Sequence, residues 1–159
     1  MAIRNIREIG EEVLTKTSKE VKEMTERTQL LIDDMLETMY EAEGVGLAAV
    51  QVGVLKRIVV IDICEEGFEP LIMINPRIVE RSGEQTGNEG CLSVPGKTGV
   101  VTRPDYVKAV YQDREMKSRE VEGTGLLARA ICHELDHLDG ILYVSKVEGE
   151  LQDVAAREE

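Results

Sequence analysis

The chain has 159 residues, of which 42% are hydrophobic and 31% charged, and its formal net charge is -12. That length suits a single domain able to bury roughly 70% of its unfolded surface, so no disulfide staples are needed. The acidic balance argues against a general nucleic-acid or anionic-membrane binder, because phosphate binding needs clustered Lys and Arg. With no Trp and one Phe, the core must be built from Leu, Ile, Val, Met and Ala. Cys64, Cys91 and Cys132 are an odd count at unrelated spacings, which favours reduced thiols over a disulfide framework. The N-terminal stretch MAIRNIREIGEEV lacks the apolar run of a signal peptide, and no stretch approaches the ~20 apolar residues of a membrane span. The expected location is the cytoplasm.

In chain order, residues 25–42 (TERTQLLIDDMLETMYEA) predict an amphipathic helix, with Leu30, Leu31, Met35, Leu36 and Met39 at helical spacing and Gly44 as its stop. The segment 44–54 (GVGLAAVQVGV) is too rich in glycine for a clear strand. Residues 57–63 (RIVVIDI) and 70–80 (PLIMINPRIVE) read as strands. Residues 81–96 (RSGEQTGNEGCLSVPG), with four glycines and a proline, read as an irregular excursion. A strand over 100–113 breaks near Pro104, and 118–123 is another short strand. A helix over about 124–138 carries LLARAICHELDHL, 141–147 (ILYVSKV) reads as a last short strand, and the acidic tail EGELQDVAAREE reads as a frayed helix. Strands gathered between two helices point to an α+β fold of mostly antiparallel strands, packed around a central metal-binding helix, with an amphipathic N-terminal helix. The domain reading is a single domain over 1–147 and a short acidic tail over 148–159.

The chain's whole histidine supply, His133 and His137, lies in 133-HELDH-137. Residues i and i+4 share a helix face, so both imidazoles can aim at one ion while Glu134 stands beside them as a general base. A divalent ion can lower the pKa of a water from 15.7 to about 7. The bland alternative is an acidic helix with two incidental histidines. Leu127, Ile131, Leu135 and Leu138 give that helix an apolar stripe, which argues for a central position where buried histidines need partners. A catalytic site wants a third protein ligand, and no third histidine exists. Cys91, set in the glycine-containing EGCLSVPG, is one candidate; it reads equally as a small buried residue without chemistry. Cys64 and Cys132 read as packing residues. Gln51 alone reads as a polar residue at a loop end.

Taken together, GVGLAAVQ (44–51), EGCLS (89–93) and HELDH (133–137) resemble the three signature motifs of the peptide deformylase family, in order and approximate spacing. The resemblance extends over about residues 4–147 through an early RxIxxxG pattern, the INP after a strand and the GLLARA before the last motif. It implies a metal-dependent hydrolase that removes the formyl group from N-formylmethionine on new polypeptides and releases formate. It further implies Cys91, His133 and His137 as ligands of one divalent metal, with Fe(II) as the usual ion and Zn, Ni or Co as substitutes. Glu134 becomes the acid/base, and the Gln51 side chain and the Leu92 backbone N–H become the oxyanion donors. Val45, Gly46 and Gly90 flank an extended peptide substrate, and Leu126 is a weaker candidate for the methionine pocket. The implied partners are N-formylmethionyl peptides and nascent chains, with a transient ribosome contact, no DNA and no membrane, for a monomeric enzyme. The short acidic tail gives little reason to expect tail-mediated RNA binding.

Two rivals remain. A zincin-like metallopeptidase shares HExxH, but usually takes its third ligand downstream of the helix, where this chain has no His. A non-catalytic metal-binding protein would need a fourth protein ligand and leaves Glu134 and Gln51 without a task.

Overall fold

The computed structural model describes residues 2–154; residues 155–159 of the expected tail lie outside the described residues. Among the described residues two α-helices are embedded in eight strands, an α+β arrangement in which the named strands all pair antiparallel. Helix α1 (Glu26–Glu41) starts at Thr25, whose side chain accepts the Thr28 backbone N–H at 3.1 Å, an N-cap that satisfies one otherwise orphaned donor. Strands β1 (Gly46–Ala48), β2 (Ile58–Ile61), β3 (Leu71–Ser82), β6 (Tyr106–Gln112) and β7 (Ser118–Thr124) form a five-stranded sheet in the order β1-β2-β3-β6-β7. Strands β4 (Gln85–Cys91), β5 (Val94–Arg103) and β8 (Glu148–Asp153) form a three-stranded sheet in the order β4-β5-β8. Helix α2 (Gly125–Leu138) follows β7.

The five-stranded sheet is covered on both faces, and its sequence shows why. Along a strand, successive side chains point to opposite faces. Ile58 and Val60 join Leu31, Ile32, Met35 and Met39 of α1 in one apolar cluster. Val59 and Ile61 join Ala128, Ile131, Leu135 and Leu138 of α2 in the other. A strand buried on both sides reads as a continuous apolar run rather than an alternation, and IVVI is such a run. Within β3 the INP segment bulges: the register shifts between Ile74 and Arg77, and Asn75 sits at φ 53°. Asn75 stabilises that conformation by bonding Val21 N–H, Val21 C=O and Gln112, and Pro76 falls where the ladder is already interrupted.

Besides the glycine-rich 44–54, in which Gly46–Ala48 forms the short β1, three segments differ from the sequence reading. Residues 85–103 form the β4–β5 hairpin instead of an irregular excursion, with Cys91 opposite Val94 across a tight turn. Pattern reasoning misses it because QTGNEGC has no apolar alternation; Glu89 is the sole buried residue of β4. Residues 143–146 form a 3-10 turn rather than a strand, and its Tyr143 is buried against the second sheet with Val94 and Val101. Residues 148–153 form β8 on the edge of β5 rather than a frayed helix. The expected break at Pro104 is present, and it is where the chain leaves one sheet for the other. Among the described residues no helix is long and apolar enough to cross a membrane.

Candidate metal centre

Helix α2 presents His133 and His137 toward the end of the β4–β5 hairpin, where Cys91 stands. Cys91 Sγ lies 3.3 Å from His137 Nε2, and His137 Nε2 lies 3.3 Å from His133 Nε2. The potential ligand atoms of these residues all fall within 4.8 Å of one another. Both histidines are buried and Cys91 is half-buried.

Glu89 orients one of the rings. Its Oε1 accepts from His133 Nδ1 at 2.5 Å, and in the neutral ring that bond leaves the Nε2 lone pair free for a ligand beside Cys91 and His137. Glu89 is also clamped by Arg103 at 2.6 and 3.1 Å and by Arg129 at 2.7 Å, and Arg103 continues to Asp136 at 2.8 Å. Burial alone would raise the Glu89 pKa; hydrogen bonds from His133 and Arg103 outweigh it and hold the carboxyl at about 2. For His133, burial favours the neutral ring, but contacts with Cys91 and Glu89 prevail and raise its pKa. For His137, burial and then the neighbouring His133 charge push the pKa down to about 3.

Residues suited to hold a divalent cation are therefore in place. Sγ and two Nε2 atoms are electron-pair donors, close enough to share a proton or, once deprotonated, to converge on one divalent cation. One sulfur and two imidazole nitrogens as donors suit Fe(II), Zn, Ni or Co better than Mg or Ca. Glu134 stands alongside, buried, with Oε1 unpartnered. Burial is the main reason its pKa rises to about 7, with the Glu89 charge adding to the effect. That value suits a group that must both take and give a proton near neutrality.

The GVGLAAVQ segment closes the opposite wall. Gly46 in β1 runs against Glu134: a Cβ there would lie 2.6 Å from Glu134 Oε2, so only glycine leaves the carboxylate its position. Residues 49–52 form a 3-10 turn that brings Gln51 inward. Gln51 Oε1 accepts the Ala48 N–H at 2.9 Å, while Nε2 donates to Ser93 Oγ at 3.0 Å and stands 3.5 Å from Cys91 Sγ. Gln51, Cys91, His133 and Glu134 open into one cleft of about 600 Å³, also lined by Val45, Gly46, Gly90, Leu92 and Leu126. His137 lies behind them, fully buried. The structure thus brings every candidate residue named from the sequence to one place. Sequence reasoning assigned nothing to Glu89, Arg103, Arg129 or Ser93. A signal existed for two of them: Glu89 stands two residues before Cys91, and Arg129 is the one charged residue in the run LLARAIC.

Fold and cleft define an α+β protein with a candidate mononuclear thiolate–imidazole centre beside a buried carboxylate. The family model described as Polypeptide deformylase matches residues 3–152. A peptide deformylase of Lachnoclostridium phytofermentans is 65% identical over 159 residues, covering 100% of this chain and 98% of the relative. Among solved structures, a peptide deformylase from Legionella pneumophila superposes with a TM-score of 0.89 at 45% identity, over 92% of this chain and 86% of the other. A peptide deformylase from Synechococcus elongatus, in complex with actinonin, has a TM-score of 0.89 at 41% identity, over 92% and 82%. The chain belongs to the polypeptide deformylase family.

Proposed function

We propose that this enzyme hydrolyses the formamide of N-formylmethionine at the N-terminus of new polypeptides, leaving formate and a free amine. The observation that carries the reading is the convergence of Cys91, His133 and His137 beside an unpartnered, buried Glu134 in an open cleft. Cys91, His133 and His137 would hold the metal, with Fe(II) the expected ion and Zn, Ni or Co alternatives. Such an ion, when bound, supplies a Lewis acid that polarises the formyl carbonyl and acidifies a water.

The chain's own residues supply the rest. Glu134 takes a proton from the water that attacks the formyl carbon and passes it to the departing amine. The Gln51 amide and the Leu92 backbone N–H face the oxyanion that forms; donors of this kind are worth roughly 3–4 kcal/mol each. Gln51 is pre-organised for the task because Ala48 and Ser93 fix both ends of its amide. Val45, Gly46 and Gly90 line the path of an extended peptide, and the exposed Leu126 lies at the cleft where an apolar methionine side chain would enter. Nascent chains in the cytoplasm, met in transient contact with the ribosome, are the expected substrates of a monomeric enzyme.

The test is formate release from formyl-Met-Ala-Ser by anaerobically purified, Fe(II)-loaded protein, with the unformylated peptide as control. Release from the formylated peptide alone supports the reading. No release, with bound metal confirmed, overturns it.

A further inference from the structure

Helix α2 has a second face. Cys132, Leu135, Asp136 and Asp139 recur at i, i+3, i+4 and i+7, on the side opposite Ala130, His133, Glu134 and His137. That face closes a cavity of about 380 Å³ whose walls include Arg57, Arg77, Arg81, Arg103 and Lys146. Five cationic side chains thus meet two carboxylates, in a chain whose net charge is -12.

Both carboxylates are already engaged. Asp136 pairs with Arg103 at 2.8 Å and Asp139 with Arg57 at 3.1 Å. Arg77, Arg81 and Lys146 make no ion pair among the described residues. Three exposed, unpaired cations around one concavity favour an anion there, and the walls concentrate their field. The walls are pre-formed: Pro76 and Pro104 line it, and Arg103 is buried and fixed by Glu89 through Nε and Nη2. Arg103 meets Asp136 through Nη1 alone, while Nε and Nη2 hold Glu89. A concavity of this size fits a small ligand better than a polymer strand, which needs an open groove.

We propose that this cavity is a binding site for a small polyvalent phosphate, such as a phosphate monoester dianion, held chiefly by Arg77, Arg81 and Lys146. The site is separate from the catalytic cleft and stands independently of the activity proposed above.

The experiment is amide chemical-shift mapping on the full-length, Zn-loaded protein titrated with inorganic phosphate, against sodium chloride at matched ionic strength. Saturable shifts centred on Arg77, Arg81 and Lys146 are expected. The double variant Arg77→Ala/Arg81→Ala, at two exposed positions, should weaken binding by about tenfold or more while formate release without phosphate is unchanged. Arg77→Lys/Arg81→Lys should recover part of the affinity. Shifts confined to the Cys91–His133 cleft, equal affinity in the double variant, or no saturation would each overturn the proposal. So would an oligoribonucleotide that saturates this face when phosphate does not; that outcome would make it a nucleic-acid contact instead.

Discussion

Every residue of β2 is buried, whereas every residue of β8 is exposed and β4 buries Glu89 alone. The five-stranded sheet carries the apolar mass of the protein, with a helix on each face. The three-stranded sheet has a small apolar cluster around Val94, Val101 and Tyr143, yet it delivers Glu89 and Cys91 to α2. Most of the apolar mass thus lies with the larger sheet, the smaller one brings Cys91 and Glu89, and the β1 edge with Gln51 closes the same cleft. Ile131 and Leu138 of α2 belong to the apolar cluster of the first sheet, while His133 and His137 reach the second. Substitutions on the two sides should therefore separate activity from stability.

The largest separation is expected at Glu134, the proposed proton carrier. Glu134→Ala should retain metal and fold yet lose kcat by at least ~10²–10⁴-fold, measured by formate release beside metal analysis. Near-normal turnover would remove the residue from its assigned role.

Next comes Glu89, the carboxylate behind His133. Glu89→Gln keeps the shape but removes the charge facing Arg103, Arg129 and His133. Metal affinity, read by competition with a chelator, should fall by ~10–100-fold. Unchanged affinity would mean that the carboxylate stabilises the hairpin without tuning the ligand.

On the five-stranded side, Ile131→Ala should do the reverse. Ile131 is fully buried against the sheet, and its truncation should lower unfolding free energy by ~2–5 kcal/mol in a denaturant titration. Turnover per folded, metal-loaded molecule should change little. A loss of turnover comparable to that of Glu134→Ala would show that the two faces of α2 are not separable.

The smallest effect belongs to Asp34 on α1. Burial opposes its ionisation, but hydrogen bonds from the Ala2 N–H at 2.7 Å and Arg4 Nε at 2.9 Å outweigh it and lower its pKa. A carboxyl with a depressed folded pKa contributes stability above its unfolded value, here 3.8, and that contribution disappears as pH falls through the folded value. Asp34→Asn should therefore be less stable than the parent at pH 7, with the gap narrowing below about 3.8. A pH-independent gap would assign the effect to packing rather than charge.

The same contrast explains what could be read from the sequence. The helix over 25–42 and the strands RIVVIDI and PLIMINPRIVE are written in apolar periodicity, because burial against a covered sheet demands it. The candidate site was legible for a different reason. HELDH, EGCLS and GVGLAAVQ are local strings whose residue types carry chemistry. Strands β4 and β8 left no such trace, since exposed strands held by backbone ladders need no hydrophobic pattern; of β5, only its apolar end near Val100 and Val101 reads as strand. Glu89 with Arg103 and Arg129, and the cationic cavity behind α2, depend on residues far apart in the chain. Charged residues otherwise resemble any solvated surface, so only the fold brings them into view.

A thiolate from the three-stranded sheet and two imidazoles from α2 would share one ion. X-ray absorption at the metal edge of the Zn-loaded protein tests it most directly, with Cys91→Ala as the comparison. The account predicts one sulfur near ~2.3 Å and nitrogens near ~2.0–2.1 Å in the wild-type protein, with the sulfur contribution absent from the variant. A nitrogen- and oxygen-only shell, identical in both proteins, would contradict it.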